Sequence, residues 1–190
     1  MHLDSNFIIA VCWTSLGGVW LIGFAFTKRT LRAQPAGGRI IHLVLLVLGF
    51  AMIGSPRFSI GWLGVRFIPR MDAIEIAGLA LTAAGCLFAI WARIAIGSNW
   101  GGRATVKQGH ELVQKGPYAV VRHPIYTGLL ASALGATVAV GEWRGLLGLA
   151  LMTFAFMVKI KYEERLMLET FPAVYPSYRG RVKALIPGLW

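Results

Sequence analysis

Acidic side chains are scarce in this sequence. It has eight Asp and Glu against nineteen Lys and Arg in 190 residues, a formal net charge of +11, yet only 14% of its residues are charged at all. A basic excess of this kind suits nucleic acid only when it forms a soluble basic face. Here the Lys and Arg stand between long apolar runs, which excludes nucleic acid as the expected partner and points to membrane topology. Cysteine is equally sparse. Cys12 and Cys86 both fall inside apolar runs, where a thiol behaves as a small hydrophobe, so neither a disulfide framework nor a metal site is expected. The chain shows no internal repeat and no low-complexity stretch.

Hydrophobic residues make up 56% of the chain and mean hydropathy is +0.64, outside the usual range of soluble domains. The expectation is an all-α integral membrane helical bundle, one multi-pass domain over residues 1–190. Five candidate spans cover residues 7–27, 40–55, 74–96, 125–140 and 143–161. A helix needs about 20 residues to cross about 30 Å of hydrocarbon, so the second and fourth are short. The first run has no Lys or Arg before it and is too long for a signal-peptide core, which reads as a retained helix. Fifteen Lys and Arg fall on loop one, loop three and the tail, and four (Arg57, Arg66, Arg70 and Arg144) on the other side. By the positive-inside rule the N-terminus is outside and the C-terminus cytoplasmic, in a cell (inner) membrane.

In the fourth span Gly128, Ser132 and Ala136 recur every four residues, as do Ala131, Gly135 and Ala139. This pattern lets neighbouring backbones approach closely. Gly141-Glu142-Trp143 joins the fourth and fifth spans in a tight hairpin. Residues 57–70, with Pro69 and Trp62, read as an interfacial excursion on the outer side.

Polar chemistry gathers in loop three and the tail, residues 97–128 and 159–190, which share one membrane face. Taken singly, their residues have plain readings. Arg122 and His123 suit headgroup anchors, Tyr118 and Tyr126 an aromatic belt, His110 a solvated loop, and the tail an interfacial amphipathic helix. Lys159 and Glu163 read otherwise. An ammonium and a carboxylate one turn apart at the edge of an apolar phase are expensive unless paired or used, and Lys before Glu is the weaker helical order.

Three blocks, "HELVQKGPYAVVRHPIYTG", "EERLMLETFPAVYPSYRGRV" and the closing "IPGLW", together resemble the isoprenylcysteine carboxyl methyltransferase family of integral membrane enzymes, over about the last 90 residues. "RHPxYxG" alone is shared with phospholipid N-methyltransferases and some sterol reductases, but here Leu129 follows the glycine where the reductases place an acid. The resemblance implies S-adenosylmethionine as cofactor, bound by a cytosolic loop and the C-terminal amphipathic helix, in keeping with the lack of any GxGxxG motif. It carries cofactor contacts onto His110, Glu111, Leu112, Val113, Tyr118, His123, Pro124, Ile125, Tyr126 and Glu163, with Arg103 at a further cofactor-side position. Lys159 falls where the family has its substrate-contacting arginine. It keeps the charge and loses the two-pronged hydrogen bonding. Lys159 and Glu163 are thus the expected catalytic pair.

The implied reaction is methyl transfer at the membrane-cytosol interface to a lipidic or prenyl-type acceptor among membrane lipids, most like isoprenylcysteine carboxyl O-methylation. A carboxylate acceptor needs no general base, so alignment and exclusion of water must supply the rate. A sulfonium suits the aromatic faces of Tyr118 or Tyr126. The alternative is phospholipid N-methylation, with Glu163 or Glu164 as base and Lys159 an awkward neighbour for a cationic head group. A non-catalytic scaffold or transporter is disfavoured, because beyond the charges at their ends the spans offer only Thr14, Ser15, His42, Thr82, Ser132, Thr137 and Thr153 and no mid-depth carboxylate. The chain resembles the compact prokaryotic members, for which prenylated CaaX proteins are not an expected substrate.

Overall fold

Five long helices cover the five apolar stretches. In the computed structural model, which describes residues 4–26, 30–33, 36–100, 105–107 and 112–189, these are α1 (Ser5–Phe24), α2 (Ala36–Gly54), α3 (Asp72–Ile96), α5 (Pro124–Val140) and α6 (Trp143–Thr170). A single turn, α4 (Pro117–Val120), and a short helix, α7 (Tyr175–Arg181), flank them. The fold is all-helical apart from a two-stranded antiparallel ribbon of β1 (Thr30–Ala33) and β2 (Thr105–Lys107), which ties together the connections after α1 and α3.

Among the described residues three helices are long and apolar enough to cross a membrane, Ser5–Gly23, Asp72–Asn99 and Trp143–Thr170, while Ile40–Gly54 and Pro124–Val140 are shorter apolar helices. Their outer faces are oily. Leu21 is 79% exposed and Leu87 67%, as suits side chains that meet lipid and not water. The protein is an integral membrane helical bundle.

Local sequence sets the helix ends. The Asp4 carboxylate accepts from the Asn6 and Phe7 backbone N–H groups at 3.0 and 3.4 Å and caps α1. Pro124 occupies the first position of α5, where a missing N–H costs nothing. Gly141 ends α5 at φ 68°, a left-handed conformation that only glycine takes cheaply, and so makes the predicted hairpin to α6. α6 runs nine residues past the expected end of its span at 161, and this extension carries Glu163 and Glu164.

Two helix pairs form the bundle. The small residues of α5 meet a matching row on α3, which hydropathy alone did not distinguish. A Cβ placed on Gly85 would lie 2.4 Å from the Ser132 nitrogen, and one on Gly135 would lie 2.4 Å from the Thr82 nitrogen, so any side chain there would strike backbone. Gly49 and Gly148 do the same for α2 and α6. Between the pairs lie Ile9, Ile53, Leu79, Ala133, Met152 and Phe156. Trp13 of α1 donates its indole N–H to the Ser132 hydroxyl at 2.8 Å.

The segment after α2 forms two 3-10 turns, Pro56–Phe58 and Gly61–Gly64, at the start of the expected excursion over 57–70. At this end Arg144 is buried. Its guanidinium donates to the Met52 and Ile53 carbonyls at 2.6 and 2.8 Å, capping α2, and to Glu142 at 2.6 Å. Arg66 donates to the last carbonyl of α5, Val140, at 2.5 Å. These arginines occupy the open carbonyls and negative dipole ends of two helices.

Candidate functional site

At the opposite end the chain from Val121 to Thr127 is strapped by the tail. Val121 is extended and pairs in parallel with Lys183. The Arg122 and His123 N–H groups donate to the Lys183 and Ala184 carbonyls at 2.8 and 3.0 Å, and the Thr127 hydroxyl donates to Leu185 at 2.8 Å. The Tyr178 hydroxyl donates to the Tyr118 carbonyl at 2.6 Å. Burial pushes the Tyr178 phenol up to about 12, so it remains a donor at neutral pH.

Arg122 is not the headgroup anchor expected from sequence. Its guanidinium is 8% exposed. It donates through Nε to Glu164 at 2.7 Å and through Nη1 to the Arg179 carbonyl at 3.2 Å and to the Val182 carbonyl. Arg179 completes the pairing, Nε to Glu164 Oε2 at 3.1 Å. The physical reason is non-local: the carboxylate that takes Arg122 out of reach of lipid lies 42 residues further on.

The adjacent Glu163 has a different set of neighbours. Tyr126 donates its hydroxyl to Glu163 Oε1 at 2.7 Å, while His123 Nδ1 lies 3.5 Å from Oε2 and Lys159 Nζ 3.9 Å from Oε1. His123 thus bridges both glutamates, with Nε2 3.3 Å from Glu164. Burial opposes charge on this imidazole, but the hydrogen bonds and charges of Glu163 and Glu164 outweigh it and raise the His123 pKa above its usual value. The helical periods explain the convergence. His123 and Tyr126 are one turn apart at the start of α5, and Lys159 and Glu163 one turn apart on α6.

The Tyr126 ring is already engaged. It stacks on Phe156 with centroids 4.7 Å apart and on His123 at 5.6 Å, with the Lys159 ammonium 5.3 Å from its centroid. Its contribution to the site is the phenol that holds Glu163, not an open aromatic face. Tyr118, Pro124 and Ile125 are buried beside this cluster. Leu112 and Val113 are half-buried in irregular chain before α4 and, among the described residues, make no polar contact with it. His110, Glu111 and Arg103 lie outside the described residues.

One further neighbour reads in the sequence only as a polar residue of a span. His42 of α2 approaches the Ala155 carbonyl through Nδ1 at 3.2 Å, lies edge-on to Phe156, and is close enough to Lys159 and Glu163 to interact with both. A lone histidine in an apolar run was the available signal.

Most of this polar end lies within a segment that matches a known family. A sequence model described as phospholipid methyltransferase matches residues 73–173, more than half of the chain, and includes Arg122, His123, Tyr126, Lys159, Glu163 and Glu164 but neither His42 nor the tail strap with Arg179. The chain belongs to the phospholipid methyltransferase family. Among similar curated proteins, Protein-S-isoprenylcysteine O-methyltransferase B of Arabidopsis thaliana is 30% identical over 43% of this chain and 42% of its own length. Methanethiol S-methyltransferase 2 of Bradyrhizobium diazoefficiens is 40% identical over 38% of this chain and 27% of its own. Cobalt-zinc-cadmium resistance protein CzcN of Cupriavidus metallidurans is 28% identical over 77% and 61%. The chain therefore matches less than two thirds of the length of each of these family relatives. The two methyltransferase names differ in the acceptor atom, so family membership and acceptor are separate questions.

Proposed function

We propose that the protein is a methyltransferase that works at the membrane-cytosol boundary with S-adenosylmethionine as donor and a lipidic or amphipathic acceptor, most like isoprenylcysteine carboxyl O-methylation. The observation that carries this reading is Glu163, a carboxylate at the edge of the apolar bundle held by Tyr126 and His123 and one turn from Lys159. Glu164 is consumed by Arg122 and Arg179, whereas Glu163 keeps acceptor capacity for the amino or ribose groups of a ligand. This donor set fits such a cofactor: an imidazole whose charged form the two glutamates favour for its carboxylate, a carboxylate for its hydrogen-bond donors, and the buried Tyr118 beside them. Bound there, the donor supplies a methyl group activated for in-line displacement.

The chain's own part is positioning. Lys159 orients an anionic head group and does not activate it, since a carboxylate near pKa 4 is already ionised. The tail strap over Val121–Thr127 closes the site against water, which strengthens each charge interaction within it. With the N-terminus outside, this end faces the cytosol.

A second reading, transfer to a thiol or amine, is favoured by His42. With Nδ1 committed to the Ala155 carbonyl, Nε2 remains to take a proton from a protic acceptor. The test is incubation of purified protein with methyl-labelled S-adenosylmethionine and a lipid extract plus prenylcysteine analogues, followed by alkali. Alkali-labile label supports the ester, alkali-stable label supports the second reading, and no label overturns the enzyme.

A further inference from the structure

Among the described residues, Arg122 and Arg144 have largely buried side chains with carboxylate partners, Glu164 and Glu142. Arg93, in the last turn of α3 and 4% exposed, has none among the described residues. It donates to the Gly23 carbonyl at 2.6 Å and to Gly97 at 3.0 Å, and its guanidinium carbon lies 4.5 Å from the Trp100 ring centroid. Its Nε–H is buried with no hydrogen-bond partner among the described residues. Buried cations are ordinarily paired, so this one lacks an anion.

The same side chain lines a groove of about 320 Å³ between α1 and α3, otherwise walled mainly by Val19, Ile22, Phe26 and Ile94. That volume is at the lower end for ligand sites and admits one apolar chain. Ile22 and Ile94 are 68% and 67% exposed, so the groove opens sideways towards lipid. Trp20 and Trp100, with centroids 6.3 Å apart, mark headgroup depth beside Arg93. An occupant must supply an oxyanion at the depth of Arg93 and a hydrocarbon chain below it, and it must enter from the bilayer. An anionic phospholipid meets all three requirements.

We propose that the α1–α3 groove is a binding site for an anionic phospholipid, with one acyl chain along Val19, Ile22, Phe26 and Ile94 and the head-group phosphate at Arg93. This stands apart from the methyl-transfer reading and holds whatever the acceptor is.

The test is native mass spectrometry of the full chain from an uncharged detergent, with equal amounts of phosphatidylglycerol and phosphatidylcholine of identical acyl chains. The expected result is about fivefold preferential retention of phosphatidylglycerol, the factor for one basic residue at an anionic surface. Arg93→Gln should bring the ratio to one, and Arg165→Gln, which removes an exposed charge from α6, should leave it unchanged. Ile94→Trp fills the groove while keeping the guanidinium and should lower retention of both lipids, which serves if Arg93→Gln does not fold. Equal retention by the unaltered protein, a preference that survives Arg93→Gln, full retention by Ile94→Trp, or a fatty acid that outcompetes phosphatidylglycerol would each overturn the proposal.

Discussion

Each end of the bundle carries a buried arginine–glutamate pair, and the two pairs have different work to do. At the α5–α6 hairpin, Arg144 and Glu142 spend their hydrogen bonds on structure: the arginine caps α2, and the glutamate accepts from it and from the Ser59 hydroxyl at 2.6 Å. At the other end Arg122 and Glu164 also hold structure together, but the neighbouring Glu163 is bound more loosely. Adjacent glutamates on one helix turn to different partners because consecutive helical residues point about 100° apart, one towards the tail strap and one towards α5 and Lys159. Charge at the hairpin end closes the fold, and at the strap end part of it stays available to a ligand.

Arg144→Ala tests the first half of this contrast and has the largest expected effect. It removes a buried cation with three carbonyl partners and its ion pair to the half-buried Glu142, a loss of about 3 to 5 kcal/mol. Thermal unfolding in detergent should fall accordingly, while the folded fraction binds S-adenosylmethionine as before. Weakened donor binding by the folded fraction would mean that the two ends are coupled.

Glu163 and Glu164 break the comparison from the other side. Glu164→Gln should lower stability by about 2 to 3 kcal/mol, because Arg122, His123 and Arg179 lose a charged acceptor together. Glu163→Gln should cost less than about 1 kcal/mol of stability, yet reduce S-adenosylmethionine affinity by about 10- to 100-fold, the worth of one hydrogen bond to a charged group. Calorimetric titration and thermal unfolding of both variants give the answer. Equal losses of both kinds in both variants would end the division of labour.

The pattern of what sequence revealed has the same physical root. Lipid demands an unbroken apolar surface, so five runs stand out in hydropathy and each is one helix. Close contact between α3 and α5 was half visible: the small residues of α5 recur in a plain row, whereas Gly78 and Gly85 of α3 are lost among ordinary apolar neighbours. The continuation of α6 to Thr170 was missed because hydropathy falls after Lys161 although helix propensity does not. The three- and four-residue strands β1 and β2 carry too little pattern to register. At the site, the gathering of His123, Tyr126, Lys159 and Glu163 followed from a family resemblance between whole blocks. The partner of Arg122, the role of Arg179 and the approach of His42 are tertiary facts that no local period encodes.

His123 makes the strap end sensitive to pH. Its folded pKa is raised above the unfolded value of about 6.5. Its contribution to stability is therefore full below that value and disappears as pH rises through the folded pKa. Thermal stability should decline over that rise, and His123→Gln should flatten the decline while Arg144→Lys, at the far end, leaves its slope intact. A slope unchanged in His123→Gln would show that the two carboxylates do not hold the imidazole charged.

Lys159→Arg is the mildest change and separates orientation from activation. The ammonium is buried 3.9 Å from Glu163, and the substitution keeps the positive charge there, so stability should move less than in either glutamate variant. A guanidinium has a rigid fork that grips both oxygens of a carboxylate. If Lys159 orients a carboxylate head group, the arginine variant should lower KM for a prenylcysteine analogue by about two- to fivefold, the worth of one further hydrogen bond, with kcat unchanged. A thiol acceptor, with one sulfur and no second oxygen to grip, gains nothing from the fork. A lower KM for an alkanethiol, or a changed kcat for the carboxylate, would move Lys159 from orienting the acceptor to acting on its reactivity.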